Sequence, residues 1–497
     1  MTYIDLPNAF ARCRFWTLLT GAQGDTEEIL PTIIDLARTK LICHHEIAVT
    51  HTQLQPAART AVLDVLLSLD FEPRRQAARS REAELVASNM CIAFSVPKDR
   101  EYLRCGYPSE PLLAEAAARQ MDEFQTHAVD PDTSVMADIL KSEFSSGLLD
   151  LGQRGEVVFR LLVSDAYRRA VRKDHPNDSP INFSIGCLLT TFINTLFSEH
   201  CANQILSSLP DNVQDSVTFA DAFKGAIVRF THFGKMADDS ATTTEAMFTA
   251  FVRCMAIICW TSQDIVDLLI PILLVPQGML QESAMTGLLI QIKRPKTKGS
   301  TVAYEINQTD LSFFPPSIVD ERSYITLVAE LGVQLPISPT AITKTKAKDR
   351  HTPSTSKLTK ETARKPAAGE IPTSLATPSK ATMPKQPDII HHPRDVHPRY
   401  SIYAYGCSNT VYNVISDSDR ATYKFLLANR DILDEHPRKD ISSLSSVRKM
   451  KPFWSAGMDC YDWIEAPGLQ QHPEWRDDNG GLIVGRSEDD VHSNYTD

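Results

Sequence analysis

"VDLLIPILLVPQGMLQESAMTGLLIQIKR", residues 266–294, decides how the rest of the chain is read. Two runs of branched aliphatic residues flank the polar connection "VPQGMLQESAMTG". Short aliphatic runs bounded by turn-forming residues read as β-strands, and the connection supports a hairpin-like return. Successive side chains of a strand face opposite ways. In "LLIQIK" this puts Leu288, Ile290 and Ile292 on one face, and Leu289, Gln291 and Lys293 on the other. Gln291 and Lys293 then project side by side, about 7 Å apart along an extended strand. Asp267 opens the first run, so strands laid side by side bring it close to both.

Such a polar trio has a bland account and a chemical one. In the bland account Asp267 caps a strand or turn, Gln291 hydrogen-bonds at a sheet edge, and "KRPKTK" is a solvated basic exit. In the chemical account a carboxylate and a side-chain carbonyl are hard ligands for Mg²⁺. A metal held there polarises a phosphodiester and activates a water, while a neighbouring lysine orients that water or stabilises developing charge.

The pattern resembles the PD-(D/E)XK nuclease superfamily, the restriction-endonuclease-like fold. There an Asp starts one core strand and Glu-x-Lys or Gln-x-Lys follows in the next. The resemblance implies Asp267 as metal ligand and Gln291 as a second, neutral ligand. It gives Lys293 the water-positioning or charge-stabilising role, with Mg²⁺ as cofactor. It also implies an auxiliary glutamate on a helix before the sheet. Glu156 in "LGQRGEVVFRLL" is the first candidate and Glu245 in "TTTEAMFTAF" the second. The chain departs from the pattern in three places. Val266 stands where the motif has proline, Gln291 carries no charge, and about a hundred residues separate Glu156 from Asp267. As a whole the chain also resembles a large group of fungal proteins, which implies no mechanism.

Around this stretch the chain of 497 residues has room for two or three domains. Its net charge of −11 argues against a surface that attracts nucleic acid everywhere. Any polyanion contact must be local, and Lys293, Arg294, Lys296 and Lys298 form such a cluster, fitting DNA or RNA. Residues 1–140 read as helical, with "GDTEEILPTIIDLART", "QPAARTAVLDVLLSLD" and "SEPLLAEAAARQMDEF" carrying apolar residues at helical spacing. The region 145–335 reads as the core with a helical insertion. Its clearest helix is "GLLDLGQRGEVVFRLLVSDAYRRAVRK", with 157, 158, 161 and 162 on one side. "SIGCLLTTFINTLFSEHCANQIL" and "DAFKGAIVRFTHF" read as further helices, and "TTTEAMFTAFVRCMAIICW" as a helix or a helix running into a strand. Ten of the thirty prolines fall between Pro336 and Pro398, with eleven Lys and Arg against five Asp and Glu. That composition reads as a disordered linker over 336–398. An α/β segment over 399–475 then packs back on the core, and 476–497 reads as a frayed tail.

The fold class expected is thus α/β (α+β). It has a helix-rich first half and a mixed sheet from strands near 266–275, 287–293, 323–331 and 401–405. Other chemistries find little footing. No GxxxxGK[ST], GxSxG or HExxH occurs, which disfavours P-loop ATPases, the commonest hydrolase elbow and zincin proteases. The ten cysteines lack zinc-like spacing and read as reduced thiols. His44 and His45 read as structural or surface residues. His391, His392 and His397 suggest at most adventitious metal binding, and His232, near Asp238 and Asp239, reads as a surface or capping residue. The first residues lack a basic start followed by an apolar core, and "IVDLLIPILLV" falls far short of the ~20 residues of a membrane helix. An intracellular protein, cytoplasmic or nuclear, is the expectation. The rival to the nuclease reading is a non-enzymatic protein whose scaffold or helical surface binds a protein partner.

Overall fold

The structure, a computed structural model, describes residues 17–18, 21, 26–71, 76–95, 104–146, 149, 154–213, 217–236, 242–259, 265–274, 280–293, 306, 308–315, 321–331 and 397–427. The linker expected over 336–398 lies almost wholly outside these residues, as do the tail and the basic positions 294, 296 and 298.

The chain is α/β, with its helices ahead of and around a mixed sheet. The first half forms α1 (Thr26–Ile42), α2 (Pro56–Leu67), α3 (Gln76–Ser88), α4 (Pro111–Thr126), α5 (Val135–Ser145) and α6 (Arg154–Asp174). A two-stranded antiparallel ribbon of β1 (Ile92–Ser95) and β2 (Arg104–Gly106) interrupts them. Caps follow the chemistry of orphan helix donors. Ser134 accepts from the Ala137 amide at the start of α5. In α6 the apolar positions 157, 158, 161 and 162 are all buried.

The sequence reading differs from the fold after α6. β3 (Cys187–Leu188) precedes α7 (Leu189–Leu196) and α8 (Glu199–Leu206). The helix expected from "DAFKGAIVRFTHF" shrinks to α9 (Phe219–Ala222), followed by β4 (Ile227–Val228) and β5 (His232–Lys235). Gly225, at φ 76, breaks the helical pattern there. α10 (Thr244–Val252) runs into β6 (Met255–Ile258), the second of the two forms expected. His232 is a strand residue only 2 % exposed, not a surface or capping one. Burial drives its pKa down to about 3, and its ring meets the Ser109 hydroxyl at 2.8 Å and the Thr231 hydroxyl at 3.1 Å. His397 is also buried, stacked on Phe314 at 3.9 Å.

The sheet centres on β7 (Leu268–Leu273) and β8 (Met285–Lys293). They pair antiparallel from Leu268↔Ile290 to Leu273↔Met285. β8 pairs parallel with β9 (Tyr324–Glu330), and β9 parallel with β10 (Arg399–Tyr405). A short α11 (Gln308–Leu311) precedes β9, and α12 (Arg420–Leu427) follows β10. On its other side β7 is shared. β6 pairs with Leu268 and Leu269, and β4 pairs with Ile272 and Leu273. Pro271 sits in the gap between them, so a residue with no N–H to donate is accommodated inside a buried strand.

The sheet is covered on both faces, which is why its strands read as continuous apolar runs. Leu268, Ile270, Ile272, Leu288, Ile290, Ile325 and Leu327 join a large core with α1 to α8 and α12. The alternate residues Leu269, Leu273, Met285, Leu289, Tyr324 and Val328 join a second cluster with Met247 and Phe251 of α10 and with Phe313 and Phe314.

Candidate active site

Asp267 is placed by the backbone before its side chain matters. Its N–H donates to the Ile290 carbonyl at 2.8 Å, and its carbonyl accepts from the Cys259 amide at 3.0 Å. It is thus clamped between β8 and the chain leaving β6. Its Oδ2 accepts from the Ile292 amide at 2.5 Å, so the carboxylate extends the β7–β8 ladder by one bond. Asp267 is half-buried. Burial raises its pKa above the usual carboxylate range, while the Ile292 N–H and the Lys293 ammonium pull it back.

Lys293, also half-buried, ends β8. Its cross-strand neighbour in the β8–β9 register is Glu330. Glu330 is raised by burial alone, whereas Lys293 acts on Asp267. The Lys293 charge is thus felt by Asp267 across the sheet end. Glu156 lies in the first turn of α6, half-buried. Burial raises its pKa first and the Asp267 carboxylate second, with Arg160 and Lys235 opposing and Asp70 adding to the rise.

Glu156, Asp267 and Lys293 are thus brought into one electrostatic neighbourhood at the end of the sheet. Gln291 is on the strand expected but 2 % exposed. Its face is the one covered by α10, Phe313 and Phe314. Glu245 is exposed in the first turn of α10, behind the Thr243 cap. Three residues absent from the sequence reading join the site from the helical side. Lys235 at the end of β5 forms an ion pair with Asp70, and the buried Arg160 donates to the Ser68 carbonyl at 3.0 Å. No local spacing announces them, because Asp70 and Lys235 lie 165 residues apart.

Two adjoining carboxylates that repel each other are a place for a cation. Among the described residues no group of three or more His, Cys, Asp and Glu side chains comes together to hold a metal. Mg²⁺ commonly uses one or two carboxylates and keeps several waters. Glu156 and Asp267 are the two carboxylates that a hydrated Mg²⁺ would meet here, whereas Gln291 is enclosed. A groove of about 500 Å³ lies elsewhere, lined by Leu30, Ile34, Leu112, Ile185, Arg229 and Val252 among others. Its one buried acid, Glu115, is committed to Arg119, the Phe183 amide and Ser184. Among the described residues no helix is long and apolar enough to cross a membrane.

Residues 51–323 match the model of a family described as a domain of unknown function, DUF8736. No curated protein and no solved structure matches the chain.

Proposed function

We propose, for a chain that belongs to the DUF8736 family, a nuclease-like site that hydrolyses nucleic-acid phosphodiesters with Mg²⁺. The observation that carries this reading is the chain of interactions Glu156–Asp267–Lys293 at one end of the sheet. Glu156 and Asp267 would hold the metal, which would polarise the phosphoryl group and lower the pKa of a bound water. Asp267 is the fixed member, since its main chain is bonded on both sides and Oδ2 is tied to Ile292. Glu156 is the adjustable one, with a pKa raised by burial and by its neighbour. Lys293 balances Asp267 and offers a cation for charge developing on a phosphate. Restriction-endonuclease-like relatedness is part of the same proposal.

The test is cleavage of labelled DNA and RNA by the full chain with and without Mg²⁺. The expected result is Mg²⁺-dependent cleavage that falls about a hundredfold or more in Lys293→Ala, the scale of losing one transition-state donor. Equal rates in Lys293→Ala and the parent would remove the role assigned to Lys293. A second reading, a non-enzymatic interaction protein, is favoured by the enclosure of Gln291 and by the strand-capping bond of Asp267. On that reading the parent is inert toward both nucleic acids, and Asp267→Asn changes only stability.

A further inference from the structure

Ser68 ties three elements together beside the carboxylates. Its carbonyl accepts from Arg160 Nη1 at 3.0 Å, and its hydroxyl donates to the Phe233 carbonyl at 2.8 Å. It adopts the left-handed conformation, φ 52, that turns the chain out of α2. Two residues beyond Ser68 is Asp70, and two beyond Phe233 is Lys235, and these meet as an ion pair. Arg160 lies one helical turn beyond Glu156, on the same side of α6. Lys235 thereby stands on the helical side of the sheet end, close enough for its charge to act on Glu156. Lys293 takes the other side, since it shares a face with Leu289 of the second cluster. The carboxylate pair is flanked by two lysines.

The Lys235–Asp70 pair does little for the fold. Its side chains are 48 % and 38 % exposed, and exposed pairs of this kind contribute little to stability. A phosphate oxygen can replace the Asp70 carboxylate on the Lys235 ammonium, one anion for another. We infer that Lys235 is a second phosphate contact, taken over from Asp70 when a polynucleotide backbone enters, so the substrate is a strand of several nucleotides. This rests on the nuclease reading above. The span sets the length. β5 and β8 are separated by three strand spacings, about 14 Å. The register adds to it, because Lys235 lines up through Ile258 and Leu268 with Ile290, three residues before Lys293, so the two lysines stand more than one nucleotide step apart. A mononucleotide reaches one lysine, and a longer strand reaches both.

The experiment is fluorescence anisotropy of labelled single strands, two and twelve nucleotides long, on the full chain with Ca²⁺ in place of Mg²⁺. The twelve-nucleotide strand should bind the parent severalfold tighter than the dinucleotide. Lys235→Ala should abolish that advantage and make log K against log salt shallower by about 0.7. Asp70→Asn, which frees Lys235, should tighten the long strand. Lys235→Gln keeps the test open should the alanine variant fail to fold. A Lys235→Gln protein binding the long strand like the parent, with the same salt slope, overturns the proposal and leaves the cleavage reading standing. Parent binding that depends on Lys235, with no cleavage in Mg²⁺, keeps this contact and removes the nuclease. A parent that binds neither strand overturns both.

Discussion

Asp64, next to the site, has the clearest consequence of any single residue. It is fully enclosed, accepts from the Leu69 amide at 2.7 Å, and burial pushes its pKa up to about 7. A carboxylate raised in the folded state lends stability that is full below its unfolded value, near 3.9. That stability is lost as pH rises through about 7. Asp64→Asn keeps an oxygen for the Leu69 amide and removes the titration. Urea melts at pH 5 and pH 8 should show the parent losing stability across that interval, by up to about 2.5 kcal/mol. The variant should lose much less. An equal loss in both proteins would place the pH dependence elsewhere. His232 works in the opposite direction, because a histidine pushed down to about 3 lends stability above its usual value that is lost as pH falls toward 3.

Much of the residue-level arrangement was legible because it depends on alternation alone. The parity of "LLIQIK" sorts Leu288 and Ile290 into one cluster and Leu289 into the other. The same parity placed Gln291 on a definite face but could not say what covers it. That cover comes from α10 and from Phe313 and Phe314, which only the folded chain brings there. Lys235, Asp70 and Arg160 were illegible because their meeting depends on the Ser68 turn.

Among the elements, the early strands were the least readable. β3 and β4 are two residues each, too short to show a period of two, and they sit among residues with helical spacing. Gly186 explains how they fit. It holds φ 96, and a Cβ there would meet Ile227 Cγ2 and the Val228 carbonyl at 2.9 Å. Gly186→Ala should therefore cost on the order of 2 kcal/mol, from the strained φ and from pushing β4 away. A thermal melt of the purified variant checks this, and a melting temperature equal to the parent's would mean that β3 and β4 do not pack this closely. The core strands read well in comparison, because their aliphatic runs are long enough and both of their faces are buried.

For the molecule as a whole, the matched family region and the folded unit do not coincide. The match covers 51–323. β9 begins at Tyr324, β10 lies beyond it, and α1 lies before the start. Ile33, Ala37 and Leu41 of α1 are fully enclosed in the large core, as are Ile325, Leu327 and Leu426. Removing α1, β9, β10 and α12 would strip one side of β8 and open the core on two flanks. A protein cut to 51–323 should fail to give a cooperative thermal transition, whereas the full chain gives one. A sharp transition in the fragment would show that the outer elements are additions to a self-sufficient centre. The ion pair of Arg399 with Asp211, at 2.8 Å, and the bond from the Ser134 amide to Asp419, at 2.9 Å, fasten the returning segment to the first half.

The shared flank of β7 has a mechanical meaning. On that side β3 pairs antiparallel with β4 and β5 parallel with β6, two leaves bound to a single spine, with Ile270 and Pro271 between their attachments. Tension applied to one leaf has no ladder by which to reach the other except through the spine itself. The chain itself bridges them instead, since residues 229–231 run straight from β4 into β5 and Cys254 Sγ donates to the Ser184 carbonyl at 3.7 Å, so a pull on the leaf of Gly186 is felt at Lys235.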